Sequence, residues 1–240
     1  MTLVDYRKDP ALYAKLYSSL DITGTQFLAF RDLPYLIQSY VKGDNALDYG
    51  SGAGKSSLYL KSLGLHVDGV DINHEMIKSA KSNDIYGSYK LIKSGKIPSE
   101  NSVYDLVFSS WVLMEISTKK ELLKVVREIY RVLNEGGIFI AIVCDQKIYN
   151  NDWLSLNTEF PENKELKSGS IVKILFKEIG LTIYDYFWSK QDYLDIISAA
   201  GLEVIEIHSP LGYQRDNIRW GNEQKVAPFN IYISKKIKVN

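Results

Sequence analysis

The chain has 240 residues, 45% of them hydrophobic, enough for a sizeable core and suited to one domain carrying insertions or a small lid. Its 29 basic side chains equal its 29 acidic ones, so no overall field draws it to nucleic acid or to a membrane surface. A lone cysteine, Cys144, excludes an internal disulfide and fits a reducing compartment.

The N-terminus shows no basic-then-apolar signal pattern, and no apolar run approaches membrane-spanning length, so the expected location is the cytoplasm. Residues 1–43 read as helical and amphipathic, with Leu12, Leu16 and Leu20 at helical spacing and Tyr6, Tyr13 and Tyr17 near the start. Asp32 is placed to cap a second helix, Pro34 is tolerated in its first turn, and Gly43 ends it. Such a segment either packs on a core sheet or covers a ligand, with Tyr13 or Tyr17 touching it.

From residue 45 strands and helices alternate, which predicts an α/β fold with a parallel sheet and helices on both faces. A strand over 45–49 leads into Asp48-Tyr49-Gly50-Ser51-Gly52-Ala53-Gly54 and then a helix over 55–63. Glycine at every second position removes Cβ atoms where the backbone turns sharply or lets a ligand approach. The P-loop spacing fails, because its first glycine would fall on Tyr49. The dinucleotide spacing fails as well, because its third glycine would fall on Lys55. The next strand, over 66–72, ends at Asp71, roughly 20 residues past the glycines, where a carboxylate accepts from ribose hydroxyls. A carboxylate such as Asp48 beside the turn suits an ammonium or sulfonium group and repels a pyrophosphate.

Further elements follow in order: a helix from Asn73 and a short strand over 89–92. A strand over 104–110, a helix over 119–133, a turn at Asn134-Glu135-Gly136-Gly137 and a fully apolar strand over 138–143 complete the series. Residues 146–188 interrupt the alternation with loops and then two strands, 171–176 and 181–188, around Gly180. A hairpin inserted there lies above the carboxyl ends of the sheet, where α/β folds bind ligands. The pattern resumes with a helix over 190–200, a strand over 202–208 and a last strand over 229–234.

The spacing Asp48-x-Gly50-x-Gly52-x-Gly54 resembles motif I of the class I S-adenosylmethionine (SAM)-dependent methyltransferases. Ile97-Pro98 with Tyr104-Asp105-Leu106-Val107, and Leu133-Asn134-Glu135-Gly136-Gly137, resemble later motifs of that family in the right order over about residues 45–145. The resemblance implies a three-layer Rossmann-like fold whose seven-stranded sheet is mostly parallel, with the last strand antiparallel beside the sixth. It also implies a division into an N-terminal helical cover (1–43), a SAM-binding domain (44–145 and 189–240) and an inserted hairpin lid over the substrate (146–188). By resemblance Asp48 and the turn Gly50, Ser51, Gly52 and Gly54 hold the methionine end of SAM, Asp71 takes the ribose and Ile72 packs on adenine. Ser109 offers backbone groups near the sulfonium, and Trp111 and Tyr17 wall the site. The family often has an acid for the adenine amino group where this chain has Lys93-Ser94-Gly95-Lys96, leaving adenine to Ser94, Gly95 and their backbone.

His208, at the carboxyl end of a predicted strand, is the candidate general base because its pKa class suits proton transfer near neutrality. His66 and His74 read as structural, and no His or Cys pair has metal-ligand spacing, so no metal is expected. The resulting expectation is transfer of methyl from SAM to N or O of a small molecule, with no nucleic-acid or membrane partner. The alternatives are a non-catalytic SAM-binding module and an NAD- or ATP-binding enzyme.

Overall fold

In the computed structural model, residues 2–4, 8–149 and 151–237 are described; Tyr6 lies outside them. Three short helices open the chain: α1 (Pro10–Tyr17), α2 (Gly24–Arg31) and α3 (Leu33–Tyr40). Asp32 stands at the junction of α2 and α3 but makes no side-chain cap, because its carboxylate is taken by Arg31 and His208. The stretch before α1 departs from the all-helical expectation. Thr2–Leu3 form a strand, β1.

The alternating region follows as β2 (Asn45–Tyr49), α4 (Lys55–Ser62), β3 (His66–Asp71), α5 (His74–Asn83), β4 (Ser88–Leu91) and β5 (Tyr104–Ser110). It continues with α6 (Lys119–Val132) and β6 (Leu133–Cys144). Local chemistry sets these boundaries. Asn73 caps α5 by accepting from the Glu75 and Met76 N–H groups, and Thr118 caps α6 by accepting from Glu121 N–H. Residues 134–137, expected as a turn, lie within β6 as an irregularity: pairing steps from Tyr104↔Leu133 to Leu106↔Ile138, so four residues bulge out before regular register begins.

The chain then forms β7 (Leu156–Asn157), β8 (Ile171–Phe176), β9 (Leu181–Tyr186), α7 (Lys190–Ala199), β10 (Leu202–His208) and β11 (Phe229–Lys236). Ser189 and Asp192 close a reciprocal capping box at the start of α7. The main sheet has the order β10-β11-β6-β5-β2-β3-β4, with β11 antiparallel to both neighbours and the other strands mutually parallel. From β2 the chain moves outward through β3 and β4, then crosses back to β5 and β6 on the other side. Right-handed crossovers running in opposite directions place their helices on opposite faces, and the reversal leaves a crevice at the carboxyl ends of β2 and β5.

The second sheet has the order β1-β9-β8-β7. The hairpin expected at 171–188 is there as β8 and β9, and β1 adds in parallel to β9 through Thr2↔Leu181 and Leu3↔Thr182. The N-terminal segment and the inserted hairpin are thus one hydrogen-bonded unit. Val4 and Tyr13, Val172 and Leu181, and Phe108 and Phe139 all belong to one buried cluster, so this small sheet shares the core of the large one. No helix among the described residues is long and apolar enough to cross a membrane.

Candidate active site

The turn after β2 is built on left-handed backbone: φ is 80° at Gly50, 51° at Gly52 and 87° at Gly54. The three differ in what a side chain would meet. A Cβ on Gly50 would stand 2.1 Å from Val112 Cγ2, and one on Gly54 would stand 3.0 Å from the Tyr89 hydroxyl. A Cβ on Gly52 would find only Met76 Sδ, at 3.9 Å, so Gly52 presents its bare face to open space.

The turn spends its N–H groups within the protein. Gly50 and Ser51 donate to the Val70 carbonyl at 2.8 and 3.0 Å, Gly54 donates to Ser51 O at 2.8 Å, and Gly52 donates to Asp71 Oδ2 at 2.9 Å. This is not the converging N–H nest that holds a phosphate. The Lys55 ammonium binds Leu20 O and the Asp21 carboxylate, a role unlike that of a phosphate-binding lysine.

Two acids flank the turn. Asp48 is fully buried beneath it, where Oδ2 accepts from the Ser56 and Ser57 hydroxyls at 2.6 Å each while Oδ1 has no partner among the described residues. Burial pushes its carboxyl up to about 6. Asp71, at the end of β3, accepts from Gly52 N–H and, through Oδ1, from Asn73 N–H at 2.7 Å. Burial raises its carboxyl too, and these backbone donors oppose the rise. A carboxylate has about four lone-pair sites, so Asp71 retains acceptor capacity while bracing the turn.

A cleft of about 270 Å³ opens at the reversal of strand order. Gly50, Gly52 and Asp71 form one end, Ile72, Met76 and Ile92 supply an apolar wall, and Trp111 and Tyr17 close the other side. Trp111 has φ 60°, costly for a non-glycine residue, and its ring packs against Phe30 and Phe229 at 5.8 and 5.5 Å between centroids. Tyr17 stacks on Tyr13 at 5.1 Å and meets Phe176 of β8 edge-on at 5.6 Å.

Residues 47–141 match the family model described as a methyltransferase domain. An uncharacterized protein of Methanocaldococcus jannaschii is 30% identical over 177 residues, covering 71% of this chain and 66% of that protein. N-demethylindolmycin N-methyltransferase of Streptomyces griseus is 26% identical over 181 residues, covering 70% and 74%. A crystal structure of a SAM-dependent methyltransferase from Methanosarcina mazei superposes with a TM-score of 0.64 at 22% identity, covering 85% of this chain and 98% of that one. The chain carries a methyltransferase domain over residues 47–141, on the fold of the SAM-dependent methyltransferases. It spans about two thirds of the length of the curated relatives it matches.

The chain places its expected site residues unevenly. Tyr17, Gly50, Gly52, Asp71, Ile72, Ser94 and Trp111 do line the cleft. Ser51 lines an adjoining recess, its buried hydroxyl without a partner among the described residues. Gly54 packs toward Tyr89 and Ala80. Asp48 lies under the turn rather than on the cleft wall, because Ser56 and Ser57 draw its carboxylate toward α4. Gly95 donates its N–H to the Tyr49 phenol at 3.1 Å and faces Lys124, so it turns from the cleft toward α6. Ser109 is buried in β5, and the alternation of strand side chains brings Ser110 to the cleft instead.

His208 does not join them. It lies on β10, an edge strand of the main sheet, and does not line the cleft. Its Nε2 stands 2.7 Å from Asp32 Oδ2, and Arg31 ties Asp32 to Asp216 and to the Leu211 carbonyl. Burial works against the Asp32 charge, but hydrogen bonds from Arg31 and His208 outweigh it and hold that carboxyl well below the usual range. His208 fastens the N-terminal helices to the C-terminal loop.

Sequence reasoning missed Glu115, which lines the cleft beside Tyr13 and accepts from the Tyr13 hydroxyl at 3.1 Å. An acid directly after Leu113-Met114 was the available signal. Asp71→Ala is expected to weaken SAM binding by about tenfold or more, since hydrogen bonds to a charged group contribute about 1.5–3 kcal/mol. Titration calorimetry checks this, and unchanged affinity would remove Asp71 from the site.

Proposed function

We propose that the chain transfers the methyl group of SAM to nitrogen or oxygen of a small-molecule acceptor held under the inserted hairpin. The observation that carries this reading is the cleft of about 270 Å³ at the carboxyl ends of β2 and β5, whose wall shares Tyr13, Tyr17, Trp111 and Glu115 with a small cavity of about 20 Å³ under the hairpin. Ile174, Phe176 and Ile183 of the hairpin close it. The cleft suits a nucleoside with its amino-acid tail; the cavity beside it has room for about one water, so a compact acceptor enters as the hairpin side chains move aside.

The residues present fit SAM. Gly52 leaves open the place a Cβ would fill, Asp71 offers a carboxylate to ribose, and Ile72, Met76 and Ile92 offer an apolar surface to adenine. Asp48 keeps a buried oxygen without a partner among the described residues, a negative site near the turn that favours the ammonium of the methionine end. When bound, SAM supplies an electrophilic methyl carbon on a positively charged sulfur. The protein contributes alignment and exclusion of water, which supply much of the acceleration of a direct displacement. Tyr17 and Phe176 cover the acceptor side, so the hairpin acts as a lid. The name of the Streptomyces griseus relative, an N-methyltransferase, supports nitrogen as one acceptor atom.

The test is calorimetry followed by turnover. SAM and S-adenosylhomocysteine (SAH) should bind while NAD and ATP do not, and SAH should accumulate with small N- or O-nucleophiles. Binding of ATP or NAD in place of SAM would overturn the reading. SAM binding with no SAH formed from a broad acceptor panel would leave a binding module.

A further inference from the structure

Two aromatic side chains stand where the spaces of the site meet. Tyr17, the last residue of α1, and Trp111, just past β5, are the two described residues that line the cleft, the recess beside the turn and the small cavity under the hairpin alike. Both are only partly buried. Each ring is fixed by two others: Tyr17 lies at 18° to Tyr13 and 89° to Phe176, and Trp111 at 48° to Phe30 and 64° to Phe229.

Trp111 is held there at a cost, because its φ of 60° is strained for a residue with a side chain. No polar tether accounts for it. Trp153, Trp188 and Trp220 donate their indole N–H groups to Ile148 O, Ile116 O and Asp216, whereas the Trp111 indole makes no hydrogen bond among the described residues. Other aromatic rings of the chain are covered by its own cations, as Tyr213 is by Arg31 and Tyr130 by Lys236. Among the described residues no Lys or Arg stands over Tyr17 or Trp111, and none lines the cleft. The strain therefore keeps in place a ring whose π face the protein itself does not use.

We propose that Tyr17 and Trp111 form a two-walled aromatic site for the positive charge on the sulfur of SAM, adding to its binding a contribution that SAH lacks. This rests on the methyltransferase reading and adds which residues read the charge. An aromatic face attracts a cation through its quadrupole, tryptophan most strongly, and more so where water is excluded. SAM and SAH share adenine, ribose and amino-acid tail and differ in the methyl group and the charge on sulfur. The turn, the Asp71 bonds to ribose and the apolar wall act on both in the same way. The attraction of the two rings is present with the donor and disappears when the C–S electron pair stays on sulfur and neutralises it. Tyr17 and Trp111 thus hold the donor and slacken on the product. The acids that line the cleft feel the charge as well, so the test changes the rings and leaves the acids in place.

The test measures SAM, SAH and sinefungin, in which a carbon bearing an ammonium replaces the sulfonium, by calorimetry on the full chain. The quantity read is the ratio of the SAH to the SAM dissociation constant, whatever its value in the wild type. Trp111→Leu should lower that ratio about tenfold and Tyr17→Leu about threefold, with sinefungin following SAM. Tyr17→Phe keeps a π face and should hold the ratio within about twofold of the wild type. A merely structural role would behave otherwise, since lost packing weakens all three ligands alike. Sterics would also act in the opposite sense, because a smaller side chain eases the fit of the extra methyl of SAM. Thermal melting identifies the folded variants. Should Trp111→Leu not fold, Trp111→Phe is read in its place; it keeps a ring between Phe30 and Phe229, and its weaker π face should lower the ratio about threefold. Equal weakening of all three ligands, an unchanged ratio, or sinefungin that follows SAH would overturn the proposal. If the wild type binds none of the three, the methyltransferase reading fails instead.

Discussion

Gly52→Val is expected to lose at least about 100-fold in affinity for SAH while the protein stays folded. The three glycines of the turn look alike in sequence, yet only this one separates binding from folding. At Gly50 a Cβ runs into Val112, and at Gly54 it presses on Tyr89, so substitutions there strain packed side chains. At Gly52 the nearest atom is Met76 Sδ at 3.9 Å, and the added isopropyl group enters the cleft beside Asp71. Its φ of 51° adds roughly 1–2 kcal/mol of backbone strain for an L side chain, a cost a folded domain tolerates. Thermal melting and calorimetry on the same sample read the two effects apart. Tight SAH binding by a folded variant would sink the assignment of the turn, and Gly52→Ala should fall between.

What was legible in the sequence was whatever backbone geometry dictates locally. Alternate glycines mark positive φ, Asp71 ends an apolar strand, and the run Ile138–Val143 can only be a strand covered on both faces. The less legible features depend on distant partners. Asp185 and Glu115 are 70 positions apart and line one small cavity only because the hairpin folds back over β5. His208 looked like a base because its strand end lies on the expected side of the sheet, but Asp32, 176 residues earlier, claims its ring. The choice between Ser109 and Ser110 turns on strand parity at the last residue, where boundary readings are weakest. Pairing of β1 with β9 joins residues 179 positions apart, and two residues of sequence carry no sign of it.

Asp48→Asn is expected to flatten the dependence of stability on pH between about 4 and 6 and to weaken SAH binding at neutral pH. Burial is the largest cause of the rise of the Asp48 carboxyl from 3.8 to about 6. A carboxyl whose folded value lies above its unfolded value keeps its proton on folding where the unfolded chain has lost it. Its contribution to stability is therefore greatest below about 4 and is lost as pH rises through about 6. The two-unit difference corresponds to about 3 kcal/mol of destabilisation above that window. Asparagine accepts from Ser56 and Ser57 in the same place but does not ionise, so the variant should lack this slope. Its amide N–H₂ at the Oδ1 position, which has no partner among the described residues, costs part of the gain, which makes the slope, not the absolute stability, the decisive reading. Asp71 and Glu115 are raised as well, but they titrate in both proteins and cancel in the difference. A buried charge that weakens the fold is explained if a cation uses it. SAH affinity of the wild type should then rise with pH through about 6 more steeply than that of the variant. Denaturant titrations and SAH binding measured from pH 4.5 to 7.5 check both limbs, and equal slopes for the two proteins would leave Asp48 a structural acid without a part in binding.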